Sequence, residues 1–128
     1  MLINLAGIYV TDQDAARRFY TEVLGFRLKD DVPYDEVERW LTVVSPERPD
    51  GAALGLNLAD DAARALQRKR REDGTPAIAF ATTDIGTEYE RLKGRGVVFT
   101  MEPTTMPYGG TDAVFDDTCG NLICLHQD

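Results

Sequence analysis

Two stretches of this chain follow one plan, and this repetition constrains the fold more than any other feature. The first reads YVTDQDAARRFYTEVLGFRL and the second ATTDIGTEYERLKGRGVVF. Each predicts a strand, a capping aspartate, an amphipathic helix, a glycine that ends the helix and another strand. Asp12 and Gly25 in the first copy correspond to Asp84 and Gly96 in the second. Two copies with so long a period indicate an α+β fold of two βαβββ modules with pseudo-symmetry, and not an open array of repeats.

We expect one domain spanning the whole chain, with module one at 1–59, a linker helix at 60–75 and module two at 76–128. The linker reads DDAARALQRKRRED, which predicts a polar helix with Ala62 and Leu66 facing inward. Its RKRR run is also compatible with a localisation or nucleic-acid signal. The flanking acids favour a solvated helix face instead.

The second half of module two is predicted from its turn signals. We expect a strand at 97–101, a loop at 104–110 and a strand at 111–115. The turn DDTCGN then precedes the last strand. Cys119 lies in this turn, so we expect it to be partly exposed and structural.

The charge balance argues against several classes of partner. The chain has 14 Lys and Arg against 22 Asp and Glu, for a net charge of -8. Because an acidic surface repels phosphate, we expect neither a nucleic acid nor a membrane surface as partner. No signal peptide is expected, and no apolar run approaches the ~20 residues that a membrane span needs. Two cysteines do not make a disulfide framework, so we expect a cytoplasmic protein.

The closing stretch CGNLICLHQD contains both cysteines and the only histidine. Alternation along a strand places Cys124 and His126 on one face. They could chelate an ion only with further ligands, such as Asp112 or Glu102. They could act as nucleophile and base only if brought closer than the spacing of about 6–7 Å along a strand. The sequence favours Cys124 as a small buried hydrophobe. His126 is the weak but best candidate for acid–base chemistry, with no neighbouring Asn or Asp that obviously orients its ring.

These motifs together resemble the vicinal oxygen chelate (VOC) superfamily, which includes glyoxalase I, bleomycin-resistance proteins and extradiol dioxygenases. The matching stretches are D…FYTEVLGF, TTDI…YERLKGRGVVF and FDDTCGNLICL, and they extend over nearly the whole chain. The family turn usually reads Asp-Pro-x-Gly-Asn, whereas Thr118 and Cys119 follow Asp117 here. The resemblance implies a curved mixed sheet whose modules enclose a small ligand, and it implies a homodimer.

In metal-dependent members, the resemblance implies four His, Gln or Glu ligands on the first and last strands of each module. These positions fall on Leu5, Ala77, Gly55 and Cys124, with Asn57 in place of Gly55 if the register slips by two. Leu, Ala and Gly cannot bind a metal, and a lone cysteine suits a hard cation poorly. We therefore expect no metal and no other cofactor; a bound divalent metal is the disfavoured alternative.

Strand alternation together with the resemblance predicts a ligand-binding surface of mostly small residues. Its predicted members are Leu5, Gly7, Tyr9, Gly55 and Asn57 in module one, and Ala77, Ala79, Cys124 and His126 in module two. The aromatic candidates to cover this surface are Trp40, Tyr9, Tyr34 and Tyr108, although the sequence does not set the face of Trp40. The loop around Tyr108 is either a lid or an ordinary hairpin loop. A helix or a partner subunit filling the space is the alternative to a pocket.

Three functions are compatible with these features. The first is a metal-free small-molecule binding protein of the bleomycin-resistance type, acting as a homodimer. The second is a VOC enzyme, namely a lyase, isomerase or dioxygenase, with atypical metal ligands or with metal-independent acid–base chemistry at His126. The third is an interaction module with a filled cleft. The absence of the usual ligands favours the first.

Overall fold

The computed structural model describes residues 1 to 128. The chain divides into two compact units, Met1–Leu66 and Gln67–Asp128, each with one four-stranded mixed sheet. The α+β architecture of two βαβββ modules is thus confirmed. A single domain spanning the chain stays a prediction. None of the helices is both long and apolar enough to span a bilayer.

The first unit contains one helix and four strands. They are β1 (Leu5–Val10), α1 (Gln13–Arg18), β2 (Arg27–Pro33), β3 (Arg39–Val44) and β4 (Ala53–Leu58). The helix continues through Phe19–Val23 as a π-helical segment. The strand order is β1-β4-β3-β2, with β1 parallel to β4 and the other neighbours antiparallel. The helix therefore carries the chain between two strands of one sheet, as a βαβββ module requires.

Local signals set both ends of the first helical segment. The Asp12 carboxylate accepts from the amide of Ala15 at 2.9 Å and satisfies one of the donors that a helix start leaves free. Gly25, with φ of 89°, follows the helix in the left-handed conformation that glycine tolerates best. The apolar side of this amphipathic helix faces the core: Ala16, Phe19 and Tyr20 are buried. The core side of the sheet supplies Ile8, Val10, Leu41, Val43 and Leu56.

Gln13 is a buried polar residue that the sequence does not mark. Its Nε2 donates to the carbonyls of Arg39 and Leu56, both at 2.8 Å. Its Oε1 accepts from the amide of Arg39 at 2.9 Å. One side chain at the start of the helix thus satisfies backbone groups on two strands, and this explains its burial.

The linker helix α2 (Asp61–Asp73) forms as predicted, but its predicted orientation is wrong. Ala62 and Leu66 are exposed, whereas the next residues, Ala63 and Gln67, are buried. Gln67 Nε2 donates to the carbonyl of Cys119 and to the side-chain oxygen of Asn121, both at 3.3 Å. Hydrogen bonding keeps the polar Gln67 inward and leaves the apolar Leu66 outside, which hydrophobicity alone does not predict.

The second unit repeats the first. Its elements are β5 (Ile78–Ala81), α3 (Ile85–Gly94), β6 (Phe99–Thr105), β7 (Thr111–Asp116) and β8 (Leu122–Gln127). The strand order is β5-β8-β7-β6, with β5 parallel to β8. Asp84 caps α3 through the amide of Thr87 at 3.1 Å, as predicted. The loop predicted at 104–110 is shorter than expected, because β6 pairs with β7 as far as Thr105 and Thr111.

The turn before β8 is built around a buried carboxylate. Asp117 Oδ1 accepts from the amides of Cys119 at 2.7 Å and Asn121 at 2.9 Å, and its Oδ2 accepts from the Asn121 side chain at 2.8 Å. Thr118 takes a positive φ of 61° where the family pattern has proline. Cys119 is fully buried, so the expectation of partial exposure is wrong. The hydrogen-bonded turn draws the thiol inward.

Candidate functional site

In the first unit, strand register gathers predicted site residues on the sheet face opposite the core. Gly7 pairs with Gly55 and Tyr9 with Asn57, while Leu5 pairs with Ala53. Cross-strand partners point to the same side of a sheet. Leu5 and Tyr9 are 42% and 47% exposed, whereas Ile8 and Val10, which point to the opposite side of β1, are buried. The predicted alternation of these strands is therefore correct.

The two paired glycines make room for one amide. A Cβ added at Gly7 would lie 2.7 Å from Asn57 Nδ2, and one at Gly55 would lie 3.4 Å from Asn57 Oδ1. The Asn57 side chain therefore lies across both glycines. Its amide offers hydrogen-bond donors and an acceptor on this face of the sheet.

The register also assigns Trp40, whose face the sequence leaves open. Trp40 pairs with Val32, and Thr42, two residues later, pairs with Gly55. Because residues two apart in a strand share a side, Trp40 lies on the face of Gly55 and Asn57. The ring of Tyr34 is 6.1 Å from the Trp40 ring. We call this surface the Trp40 face; its members are Leu5, Gly7, Tyr9, Trp40, Gly55 and Asn57.

In the second unit, an equivalent surface forms around the histidine. Cys124 pairs with Ala79 and Val114, and His126 pairs with Ala81 and Asp112. Ala77 immediately precedes β5, and its amide donates to the carbonyl of Leu122. We call this surface the His126 face; its members are Ala79, Ala81, Asp112, Cys124 and His126. Tyr108 reaches it from the β6–β7 loop.

Two side chains of this region converge on one carboxylate. Asp112 Oδ1 lies 2.6 Å from His126 Nδ1, and Asp112 Oδ2 accepts from the Tyr108 hydroxyl. Cys124 lies on the same side of the sheet, because its cross-strand partner Val114 is two residues from Asp112. Asp112 thus orients the imidazole, a partner that the sequence next to His126 does not indicate. Asp112 is distant in sequence, but the tight β7–β8 connection pairs Asp116 with Leu122 and hence Asp112 with His126. Counting residues away from the turn along both predicted strands would have identified Asp112 as the cross-strand partner of His126.

The shared carboxylate changes the protonation of its neighbours. Hydrogen bonds from Tyr108 and His126 lower the pKa of Asp112 despite its burial. The same bond raises the pKa of Tyr108 to about 12. Burial, with the Asp112 charge, raises the pKa of Cys124 to about 11, so this thiol is protonated at neutral pH and is not an activated nucleophile. Hydrogen bonds to Asp112 and Asp128 raise the pKa of His126, which favours its cationic form.

The residues present do not fit the four-ligand metal center that the resemblance implies. Its positions carry Leu5, Gly55, Ala77 and Cys124, of which only the cysteine has a donor side chain. No group of three or more His, Cys, Asp or Glu side chains is arranged to hold a metal ion. The alternative residue Asn57 supplies one weak amide donor, which does not complete such a center.

Comparisons with known proteins agree with this architecture. A family model described as Glyoxalase/Bleomycin resistance protein/Dioxygenase superfamily matches residues 2–125. The protein YurT of Bacillus subtilis (strain 168) is 51% identical over 128 residues, covering 99% of each chain. The crystal structure of UcmS2 is 31% identical with a TM-score of 0.82, covering 98% of this chain and 97% of its own. TnmS3, an antibiotic binding protein from Streptomyces sp. CB03234, is 29% identical with a TM-score of 0.77, covering 99% and 95%.

Proposed function

Because this chain belongs to the glyoxalase/bleomycin resistance protein/dioxygenase superfamily, we propose that it is a metal-free protein that binds a small organic molecule. The observation that carries the proposal is the Trp40 face. It combines two aromatic side chains, Trp40 and Tyr9, with the single amide of Asn57 over a floor of glycines. Small-molecule sites combine apolar and aromatic surface with a few placed polar groups in this way.

Two further observations favour binding of a small molecule over metal-dependent catalysis. The donor set at the family's ligand positions does not suit a cation, as described above. The similar structure of TnmS3 is that of an antibiotic binding protein, so we propose a ligand of comparable kind, an organic molecule with extended apolar surface. The aromatic rings would contact that surface, and Asn57 would orient the ligand through hydrogen bonds.

Trp40 provides a direct test, because it is the only tryptophan of the chain. We would screen an organic ligand library by thermal shift, with and without added divalent metals, and follow hits by Trp40 fluorescence. A hit should raise the melting temperature, since a ligand that binds the native state stabilises it. It should also change the fluorescence without any metal.

Matched variants make the test specific. Tyr9→Ala removes an exposed aromatic ring of the Trp40 face and should weaken binding of a hit about tenfold, which corresponds to ~1.4 kcal/mol. Leu66→Ala removes an equally exposed apolar side chain from α2 and should leave the affinity unchanged. Equal affinities of both variants, or a stoichiometric metal in the purified protein that hits require, would contradict the proposal.

A second candidate function is metal-independent acid–base catalysis, and the Asp112–His126 pair favours it. A buried carboxylate that orients an imidazole is a common arrangement in general acid–base catalysis. With its raised pKa, His126 would act as a proton donor toward a bound substrate. Mass spectrometry of hits after incubation tests this: conversion by the wild type and none by His126→Gln would establish catalysis. Recovery of unchanged ligand from both would leave binding alone.

The homodimer and the cytoplasmic location are further parts of the proposal. Met1, Leu2 and Ile3 are largely exposed apolar residues, and association of two chains would cover such surface. Both cysteines are free thiols, which a reducing compartment preserves. Light scattering coupled to size-exclusion chromatography should give twice the mass of 14.2 kDa. A single-chain mass across the concentration range would contradict the dimer.

A further inference from the structure

Two residues, Asp112 and Gly110, restrict the orientation of the His126 imidazole. Asp112, whose side chain is 8% exposed, holds Nδ1 from behind at 2.6 Å. Gly110 approaches the other part of the ring so closely that an added Cβ would lie 2.8 Å from Cε1 and 3.4 Å from Nε2. Gly110 also has a φ of 76°, which disfavours a side chain. The ring therefore has one orientation, and Nε2 points away from the buried carboxylate.

Only one group meets this outward nitrogen. Asp128 Oδ1 lies 3.0 Å from Nε2, and the Asp128 side chain is otherwise fully exposed. An ionised carboxylate can only accept a hydrogen bond. Carboxylates face both ring nitrogens, so when both carboxylates are ionised both nitrogens donate and the imidazole is a cation. A donor nitrogen is thus held in place at the surface, with one exposed carboxylate as its outer partner.

The sheet surface beside Nε2 of His126 has room for a ligand. Ala81 and Ala79 lie beside His126 and Cys124 on the neighbouring strand, and both alanines are exposed. Their small side chains leave the surface next to Nε2 open. A planar acid could rest on this floor while its carboxylate reaches Nε2.

We propose that Nε2 of His126 is a binding position for the carboxylate of a small organic acid, and that Asp128 occupies this position as a displaceable competitor. The ligand replaces one carboxylate by another, so the charge around the imidazole does not change when Asp128 moves into solvent. The position lies in the second unit and uses no residue of the Trp40 face. It can therefore fail without affecting the proposed function, and the reverse also holds.

The only histidine of the chain gives an unambiguous signal. We would follow the Nε2 resonance by ¹⁵N NMR at about pH 6, where the imidazole is protonated. The probe is sodium benzoate, with sodium chloride at the same ionic strength as the control. The proteins are the wild type, Asp128→Ala, and Asp73→Ala as a matched change of an exposed carboxylate in the same unit.

Removing the competitor should strengthen binding. Exposed ion pairs of this kind are weak, so the benzoate dissociation constant should fall about two- to sixfold in Asp128→Ala. Asp73→Ala should match the wild type, and chloride should not reproduce the shift. An Nε2 resonance that benzoate does not shift saturably in Asp128→Ala would overturn the proposal. So would equal dissociation constants for Asp128→Ala and the wild type, because Asp128 would then not compete.

Discussion

Replacing Asp117 by alanine tests how the second unit holds its last strand in register. The carboxylate is fully buried and accepts from three donors, namely the amides of Cys119 and Asn121 and the Asn121 side chain. Cys119 and Asn121 are themselves buried, so water does not readily replace the lost acceptor. The substitution leaves three donors without this partner in one turn.

The magnitude follows from the number of donors. A buried group left without its partner costs about 1–3 kcal/mol, and a turn can relax enough to recover part of that. We therefore expect Asp117→Ala to lower the free energy of unfolding by about 3–5 kcal/mol. This is a large share of the roughly 5–15 kcal/mol typical of a domain.

Urea unfolding followed by far-UV circular dichroism measures this loss. The matched control is Asp73→Ala, which removes an exposed carboxylate that pairs with Lys69 at 3.0 Å. Such a pair is worth about 0.5 kcal/mol or less, so the control should unfold almost as the wild type does. A loss below about 1 kcal/mol for Asp117→Ala would contradict this role of the carboxylate, because it would mean that the turn finds other acceptors without cost.

Three other outcomes are expected from single sites. Gln13→Ala should lower the free energy of unfolding by about 2–3 kcal/mol in the same urea assay, because it leaves buried backbone groups of β3 and β4 without hydrogen-bond partners. An unchanged unfolding midpoint would contradict this role. Iodoacetamide should modify Cys124 slowly at pH 7 and faster up to about pH 11, while Cys119 stays unmodified until the chain is unfolded in urea; rapid labelling of either thiol at pH 7 would contradict the assigned environments. The contribution of the Asp112–His126 pair to stability should be complete below the ordinary histidine pKa of 6.5 and should decline as pH rises through the raised pKa of His126. NMR titration of this histidine checks the direction, and Asp112→Asn should shift its pKa downward; an unchanged pKa would contradict the pairing.

Several site features depend on contacts between residues far apart in the chain, so the sequence could not specify them. The face of Trp40 follows from the pairing of β3 with β4, where Thr42 lies opposite Gly55, and a shift of one residue would have placed it on the core side. The side chain of Gln67 faces inward because its amide finds hydrogen-bond acceptors in the turn before β8. The burial of Cys119 depends on the hydrogen-bonded turn around Asp117. For Gln67 and Cys119, the partners are polar groups that only the folded chain brings close.

Local sequence patterns predict the duplicated βαβββ plan, the aspartate caps, the helix-ending glycines and the alternation that separates the core face of each sheet from the opposite face. These features depend on residues within one or two turns or strands, where capping, backbone preference and side-chain period act locally. The tertiary structure decided which residues meet across strands: Asn57 over the glycines, and Asp112 behind His126. Such contacts depend on strand register, which is set by packing and hydrogen bonding over the whole unit and is not encoded in any short stretch.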